Sequence, residues 1–222
     1  MSLSFVGLVF STTSWSADIR FKDISSGCTV ILGDVLQSRK GSVKFIGSCI
    51  DGLADGKGKL AFAREDGRTL IYEGNFKNGK KHGRGKQKWD GNVYEGEFRE
   101  GLWHGKGVAV FENGDRYEGE FRNSALHGRG VFTKPNGSRL EGVFEKNVFK
   151  KGTAFYPNGD TFQGEVRILG NGRGTYTTSD GEQFIGGLRH WKRDGPGECK
   201  KPNENFFRCE FKDGALVTPE NR

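Results

Sequence analysis

Apolar and polar residues alternate along much of this chain with a period of two. Tyr94, Gly96 and Phe98 occupy one phase of the alternation, whereas Glu95 and Glu97 occupy the other. A period of two is typical of β-strands, because successive side chains point to opposite faces of a sheet. The pattern therefore predicts short strands with an aromatic face and a charged, solvated face.

Turn sequences separate the predicted strands and join them into β-hairpins. We predict a turn at residues 100–103 and a tight turn at Asn113-Gly114-Asp115. Folding the chain about Gly114 predicts three facing pairs: Tyr117 with Phe111, Gly119 with Ala109 and Phe121 with Gly107. In this register each glycine leaves room for a side chain of the facing strand.

The same aromatic-x-Gly unit recurs along most of the chain. Its glycines are Gly47, Gly74, Gly96, Gly119, Gly142, Gly164 and Gly186, with Cys209 in the eighth place. The spacings between these positions are 27, 22, 23, 23, 22, 22 and 23 residues. A nearly fixed period of this length indicates a tandem-repeat protein, in which each hairpin buries its apolar face against its neighbours.

The repeat unit resembles the MORN (membrane occupation and recognition nexus) repeat. The pattern Tyr-x-Gly-x-Phe-x-x-Gly-x-x-His-Gly-x-Gly stands at residues 72–85 and 94–107, and the resemblance covers about residues 43–217. Its seven units and partial eighth imply an all-β fold, an elongated, twisted single-sheet antiparallel meander of tandem β-hairpins. The first unit departs by a longer hairpin between Phe62 and Ile71, and the fifth has Phe149-Lys150-Lys151-Gly152 in place of His-Gly-x-Gly.

The inward aromatic side chains are predicted to form a continuous layer along the sheet. Repeat arrays often present such a surface to a peptide or strand, so this layer is our first candidate binding face. Its residues are Tyr72, Phe76, Trp89, Tyr94, Phe98, Phe111, Tyr117, Phe121 and Phe132.

Composition agrees with a thin, non-catalytic fold. The chain has 36 Gly and 18 Phe but only 33% hydrophobic residues, and its net charge of +7 favours acidic partners. Outside the repeats lie residues 18–42, predicted to be an N-terminal cap strand or hairpin, and a tail at 218–222. Neither segment is long enough to hold a catalytic domain, so we expect no enzyme activity and no cofactor.

The N-terminus resembles a secretory signal peptide in part. Residues 3–10 form a short apolar run, and Ser14 and Ser16 fit the small-residue rule before a cleavage site near residue 17. A basic segment before the apolar run is missing, since Asp18 is the first charged residue. We interpret residues 1–17 as a signal peptide and predict a periplasmic or secreted protein. The alternative is a first apolar strand of a cytoplasmic protein.

The cysteines support the exported interpretation. Cys28 and Cys49 are symmetric about a polar segment near residues 37–42, and Cys199 and Cys209 are symmetric about Glu204. Cross-strand neighbours suit disulfide geometry, so we predict the bonds Cys28–Cys49 and Cys199–Cys209. Disulfides persist in oxidising compartments, whereas the alternative is four buried thiols in a cytosolic protein.

Histidines recur at one position of the repeat and raise the question of a metal site. His82, His104 and His127 occupy equivalent positions, which we assign to turns. Asp55, Asn171 and Asp194 stand in the same place in other units, and all six side chains can hydrogen-bond a nearby backbone amide. A turn-capping role therefore explains the whole set, and we predict no metal.

Basic residues are predicted to collect at one edge of the sheet, where the turns after the first strand of each hairpin lie. The candidate anion-binding residues are Lys80, Lys81, Arg84, Lys106, Arg129, Lys150, Lys151 and Arg173. The opposite edge would then be acidic. Charged hairpin tips also serve simply to keep sheet edges soluble.

These observations favour a binding or scaffold protein that presents an aromatic face and a basic edge to a protein partner. The first alternative is peripheral binding to anionic lipid or another polyanion, which occurrence of the MORN repeat in junctophilins implies. The second is an accessory subunit that regulates a separate enzyme. We expect no sequence-specific binding of nucleic acid.

Overall fold

The computed structural model describes residues 19–32 and 41–217. The predicted signal peptide and the tail at 218–222 lie outside these residues. The described chain divides into two compact units, and the boundary falls between Ala125 and Leu126.

The first unit is built from a short N-terminal hairpin and seven longer strands. Consecutive strands from β3 to β9 pair antiparallel. The strands are β1 (Ile19–Lys22), β2 (Thr29–Leu32), β3 (Gly41–Ile50), β4 (Leu53–Arg64), β5 (Thr69–Lys77), β6 (Lys80–Trp89), β7 (Asn92–Arg99), β8 (Leu102–Val110) and β9 (Arg116–Arg122).

The second unit continues the same pattern, with each strand antiparallel to the next. Its strands are β10 (Ala125–Thr133), β11 (Arg139–Glu145), β12 (Val148–Phe155), β13 (Thr161–Val166), β14 (Gly172–Thr177), β15 (Gln183–Arg189), β16 (Lys192–Lys200), β17 (Phe207–Lys212) and β18 (Ala215–Leu216). A single 3₁₀ turn at Ile168–Gly170 precedes β14.

The predicted fold class is confirmed, because both units are open antiparallel sheets of consecutive hairpins. Among the described residues, no helix has the length and apolar character needed to cross a membrane.

The N-terminal hairpin packs across the turns of the first unit. Thr29 N donates to Gly52 O at 2.8 Å, and Ile31 N donates to Gly79 O at 2.7 Å. The Phe21 ring lies 4.8 Å from the Phe62 ring between centroids. The hairpin thus satisfies turn carbonyls and adds an aromatic contact to the inward face.

The turn between β7 and β8 is shorter than predicted. It consists of Glu100 and Gly101 alone, both with positive φ, of 51° and 85°. Two positive φ values define a type I′ turn, which matches the twist of a hairpin. The predicted turn at 100–103 was wrong, since Leu102 and Trp103 already belong to β8.

The loop between β8 and β9 sets a register that differs from the prediction by two residues. Phe111 N donates to Asp115 O at 2.9 Å, which leaves a three-residue loop closed by Gly114 at φ 82°. The hairpin therefore centres on Asn113 and not on Gly114. The observed facing pairs are Tyr117 with Ala109, Gly119 with Gly107 and Phe121 with Gly105.

Because of this register, glycine faces glycine on neighbouring strands. In the first unit the row runs through Gly47, Gly58, Gly74, Gly85, Gly96, Gly107 and Gly119. In the second unit it runs through Gly130, Gly142, Gly152, Gly164, Gly174, Gly186 and Gly197. Each unit therefore has a row of positions without side chains across its sheet.

Candidate functional site

Aromatic rings on the inward face pack in a motif that repeats from hairpin to hairpin. Tyr94 lies 5.1 Å from both Phe98 and Phe121, and the rings are nearly perpendicular, at 86°. Trp103 stacks on the other side of Tyr94 at 4.4 Å and 6°. Each such pair contributes ~0.5–1.5 kcal/mol beyond the area it buries. The rings therefore hold consecutive hairpins together.

The facing glycines provide the space in which the tyrosine rings lie. A Cβ added at Gly96 would lie 2.6 Å from Gly107 Cα and 2.6 Å from Tyr94 Oη. A Cβ at Gly107 would also meet Tyr94 Oη at 2.6 Å. The tyrosine and the glycine pair are thus one structural feature, which explains their fixed spacing in the sequence.

The hydroxyls of Tyr72 and Tyr94 also satisfy the backbone where the strand pairing is irregular. Tyr72 Oη donates to Asn75 O at 2.8 Å, and Tyr94 Oη donates to Glu97 O at 2.9 Å. The strand register shifts at both points, after Gly74 and after Gly96. Burial raises the pKa of both phenols well above the usual value, so they remain donors.

The predicted aromatic binding face is therefore the core of the protein. Tyr72, Tyr94 and Tyr117 are 0% exposed, and Trp89 alone of the nine predicted residues is half-buried and not fully buried. Presentation of this face to a partner was a wrong prediction. The glycine rows let the rings lie flat on the backbone, where the next hairpin covers them.

Three of the six predicted capping residues do cap turns. Asp55 Oδ2 accepts from Asn78 N at 3.1 Å, and Asn171 Oδ1 accepts from His190 N at 3.1 Å. Asp194 Oδ1 accepts from Asp213 N at 3.2 Å. Each acceptor binds the turn of the following hairpin, so this position links neighbouring repeats.

The histidines at the same repeat position behave differently. His104 lies inside β8, before a kink at Gly105 where φ is 56°. The Nδ1 atoms of His82 and His104 are buried without a hydrogen bond in the described structure, so the capping prediction fails for these two. Across residues 19–32 and 41–217, no three His, Cys, Asp or Glu side chains are grouped to hold a metal ion.

Tyr72, Tyr94 and Tyr117 lie in segments that match the model of a known family. The MORN repeat family model matches residues 72–92, 94–116, 117–139 and 169–183. This chain is a MORN-repeat protein. No curated protein sequence matches it. The matched repeats contain the tyrosine rings that pack on glycine pairs. The family is generally non-catalytic.

MORN hairpins also form where the family model does not match. The divergent fifth unit still pairs Gly142 with Gly152 across β11 and β12. Phe149 takes the inward position of Trp103 and lies 5.3 Å from Phe144. The hairpin thus forms without His-Gly-x-Gly, with Phe149 in the core position.

Lys81 is the largest departure from the predicted basic edge, because it is buried. It is 4% exposed and donates to Gln87 Oε1, which is itself 1% exposed. Its Nζ lies 5.8 Å from the Tyr72 ring centroid and 5.3 Å from that of Phe98. Trp103 takes the same place one hairpin later, so Lys81 replaces a core tryptophan. Burial lowers the pKa of Lys81 to about 7.

The other basic residues do not form one edge. Lys80 follows a two-residue turn and lies 3.9 Å from Glu100, and Lys150 lies within β12, 3.6 Å from Glu145. The remaining predicted residues lie within strands, where acidic residues face most of them. The facing pairs are Arg84 with Glu97, Lys106 with Glu120, Lys151 with Glu165 and Arg173 with Glu165, whereas Arg129 faces Val143.

The outward face of the first unit carries rows of alternating charge. One row crosses the strands through Ile46, Lys59, Glu73, Lys86, Glu95, Val108 and Glu118. Within it, Lys59 lies 3.7 Å from Glu73 and Lys86 lies 2.7 Å from Glu95. These pairs are exposed and stabilise the fold by only ~0–1 kcal/mol each. The outward face is therefore a solvated, zwitterionic surface.

The predicted cysteine pairs lie at disulfide distance. The Cα atoms are 5.8 Å apart both in Cys28–Cys49 and in Cys199–Cys209. The cross-strand geometry from which we predicted them was wrong for both pairs. Cys28 precedes β2 and Cys49 faces Ala54. Cys199 faces Phe207 and Cys209 faces Gly197. The first pair links the N-terminal hairpin to β3.

Proposed function

We propose that this MORN-repeat protein is a non-catalytic scaffold that binds a protein partner through the outward faces of its hairpin sheets. The proposal rests on the difference between the two faces of each sheet, because one face is buried and the other is exposed. The inward tyrosines and the glycine rows are used entirely for packing, as the 0% exposure of Tyr72, Tyr94 and Tyr117 indicates. Outward positions are exposed and differ from hairpin to hairpin, so they are free to specify a partner.

The proposal includes an oxidising compartment, either periplasmic or extracellular. Two cysteine pairs at disulfide distance support it, because disulfides persist where thiols are not kept reduced. The apolar run at residues 3–10 gives independent support from the sequence.

Affinity capture from the native compartment, with bound proteins and lipids identified together, tests the proposed function. We expect a protein to be retained by the wild-type chain and lost on Lys86→Glu, which reverses one charge of the outward row. The fold should survive, since an exposed pair such as Lys86–Glu95 contributes ~0–1 kcal/mol. Retention of lipid alone would reject the protein-scaffold proposal.

The double exchange Lys86→Glu with Glu95→Lys is the matched control. It restores the pair within the sheet but inverts the charges that a partner would meet. Continued loss of binding would show that the partner contacts these charges. Recovery of binding would show that the single variant acted through stability, and would remove this face from the proposed interface.

Binding to a polyanion, such as anionic lipid, is the second candidate, and the net charge of +7 favours it. Near an anionic membrane each engaged Lys or Arg contributes ~1 kcal/mol, and the attraction fades with salt. The reversal of Lys80, Lys150 and Lys151 to Glu tests this candidate on vesicles. Lys81 is left out because it is buried. Salt-sensitive binding that this triple variant abolishes would favour the polyanion over the protein partner.

A further inference from the structure

β3 is the edge strand of the first unit and leaves a row of backbone groups unpaired. It pairs with β4 along one side from Gly41 to Ile50. Within the described residues, no strand pairs with its other side between Gly41 and Gly47, a length of ~23 Å in extended chain. An unpaired edge of this length is a template for another strand.

The register identifies which backbone groups face outward from this edge. Arg64 N donates to Arg68 O at 2.9 Å, so the even-numbered residues of this part of β4 direct their backbone groups to β5. Hydrogen bonding alternates along antiparallel strands, so Lys59, Ala61 and Ala63 bond to β3. Their facing residues are Ile46, Lys44 and Ser42. The N–H and C=O groups of Val43 and Phe45 therefore point away from β4, towards solvent.

Side chains beside the free edge define what an added strand would carry. A shallow, mainly apolar hollow lies on the outward face, with Ala61, Ala63 and Ile71 among its lining residues. Lys44 on the edge strand also lines this hollow, and no carboxylate of the described residues is within ion-pair distance of it. Ile46, two residues along the same face, is 62% exposed. The surface thus offers a cation and apolar area at the spacing of alternate strand residues.

We propose that β3 is a strand-addition site for an extended segment of a partner protein that carries acidic and apolar residues in turn at every second position, along one face of the added strand. Backbone pairing with Val43 and Phe45 would supply affinity, as in other complexes formed by β-augmentation. A carboxylate beside Lys44 would form a cross-strand ion pair of the kind seen in Lys59–Glu73 and Lys86–Glu95, and an apolar side chain would cover Ile46. The site deepens the proposed scaffold function and rests on it.

The direct test is site-resolved amide hydrogen exchange on the full chain. The probe is an acetylated, amidated peptide in which every second residue is in turn glutamate and valine, with threonine between them. In the free protein, Val43 and Phe45 should exchange at least tenfold faster than Lys44 and Ile46. Saturating peptide should slow Val43 and Phe45 at least tenfold. Protection of these two amides without peptide would overturn the proposal. If that protection depended on protein concentration, a second copy of the chain would be the occupant of the edge. If it did not, the occupant would be a segment of the same chain.

Variants separate backbone pairing from charge. Val43→Pro removes an outward N–H that the sheet does not use, and should weaken peptide binding at least tenfold. Lys44→Glu should weaken it similarly, and a peptide with lysine in place of glutamate should bind this variant better than it binds wild type. Lys88→Glu is the matched control, because it makes the same exchange at an exposed position of an interior strand that is paired on both sides. Equal binding to all four proteins would overturn the site.

The capture experiment distinguishes failure of this site from failure of the proposed function. A native partner that is retained equally by wild type, Val43→Pro and Lys44→Glu would leave the scaffold function standing and reject β3 as its site. Capture of no protein, with peptide binding at β3 intact, would reject the proposed function while the strand-addition property remained.

Discussion

At the scale of single residues, Lys81 and Gln87 occupy positions that other hairpins fill with apolar side chains. Trp103 and Leu126 stand where Lys81 stands, and Ala109 and Ala154 stand where Gln87 stands. The sequence prediction placed Lys81 on a basic edge because a lysine is usually solvated. Alignment of the repeats with one another would have assigned it to the core, since its neighbours in register are hydrophobic.

Replacement of this polar pair by the residues of other repeats should stabilise the protein. The double variant Lys81→Leu with Gln87→Ala removes two buried polar groups, and we expect the free energy of unfolding to rise by about 1–4 kcal/mol. Gln87→Ala alone should lower it by about 1–3 kcal/mol, because the Lys81 amine loses its acceptor. Urea unfolding measures the free energy of unfolding of both variants and of the wild type. A less stable double variant would contradict the account of Lys81 as a replaced core residue.

The pH dependence of stability provides a second test of Lys81. Its pKa is about 7 in the folded protein and ~10.4 in the unfolded chain, so between these values the unfolded state binds more protons. Stability should therefore rise from pH 7 to pH 9.5, by at most ~1.4 kcal/mol per pH unit, and this contribution should be flat below pH 7. The raised tyrosine pKa values change the stability only near and above pH 10, where tyrosines of the unfolded chain ionise.

Urea midpoints at pH 6.5, 8 and 9.5 measure this slope, with the Lys81→Leu and Gln87→Ala double variant as the control. The wild type should gain stability relative to the variant as the pH rises. A constant difference between the two proteins would show that the buried amine does not titrate in this range.

At the scale of elements, the alternation of residues predicted the strands well but not their register. The predicted strand around Tyr94, Gly96 and Phe98 lies within β7, and the aromatic residues do share one face. The register depends on whether Gly114 stands at the apex of its loop or closes it, and a turn sequence alone does not decide this. As a result, the facing glycine rows emerged only from the structure.

The glycine rows give a stability prediction for one hairpin. Gly96→Ala should lower the free energy of unfolding by about 1–3 kcal/mol, because the new methyl group would overlap Gly107 and the Tyr94 hydroxyl. Gly101→Ala is the control, since no atom lies within 4 Å of its added Cβ and only its φ of 85° opposes alanine. Thermal unfolding measures the stability of both variants. A milder effect at Gly96 than at Gly101 would contradict the packing of Tyr94 on the glycine pair.

At the scale of the whole molecule, the sequence predicted a MORN-repeat chain but not which face is available to a partner. In the sequence, a buried aromatic layer and an exposed binding surface have the same alternating pattern, because alternation does not show what covers the rings. The structure places those rings in the core of each unit, and leaves charged rows and the β3 edge outward.

The chemical state of the cysteines tests the proposed compartment. We expect the native protein to contain the Cys28–Cys49 and Cys199–Cys209 linkages and no free thiol, since both pairs lie at disulfide distance. Closure of such short loops stabilises a protein by ~3 kcal/mol per bond. Mass spectrometry with thiol alkylation before and after reduction measures this. Four alkylated thiols and a retained Met1 in native material would contradict export.

Hydroxyl-radical footprinting of the protein, alone and in complex with its captured partner, tests the central claim most directly. Tyr72, Tyr94 and Tyr117 should resist oxidation in both states, because they are buried in the isolated chain. Outward side chains such as Ile46 and Val108 should lose reactivity when the partner binds. Strong oxidation of the three tyrosines in the free protein, followed by their protection in the complex, would contradict the account and restore the aromatic face as the binding surface.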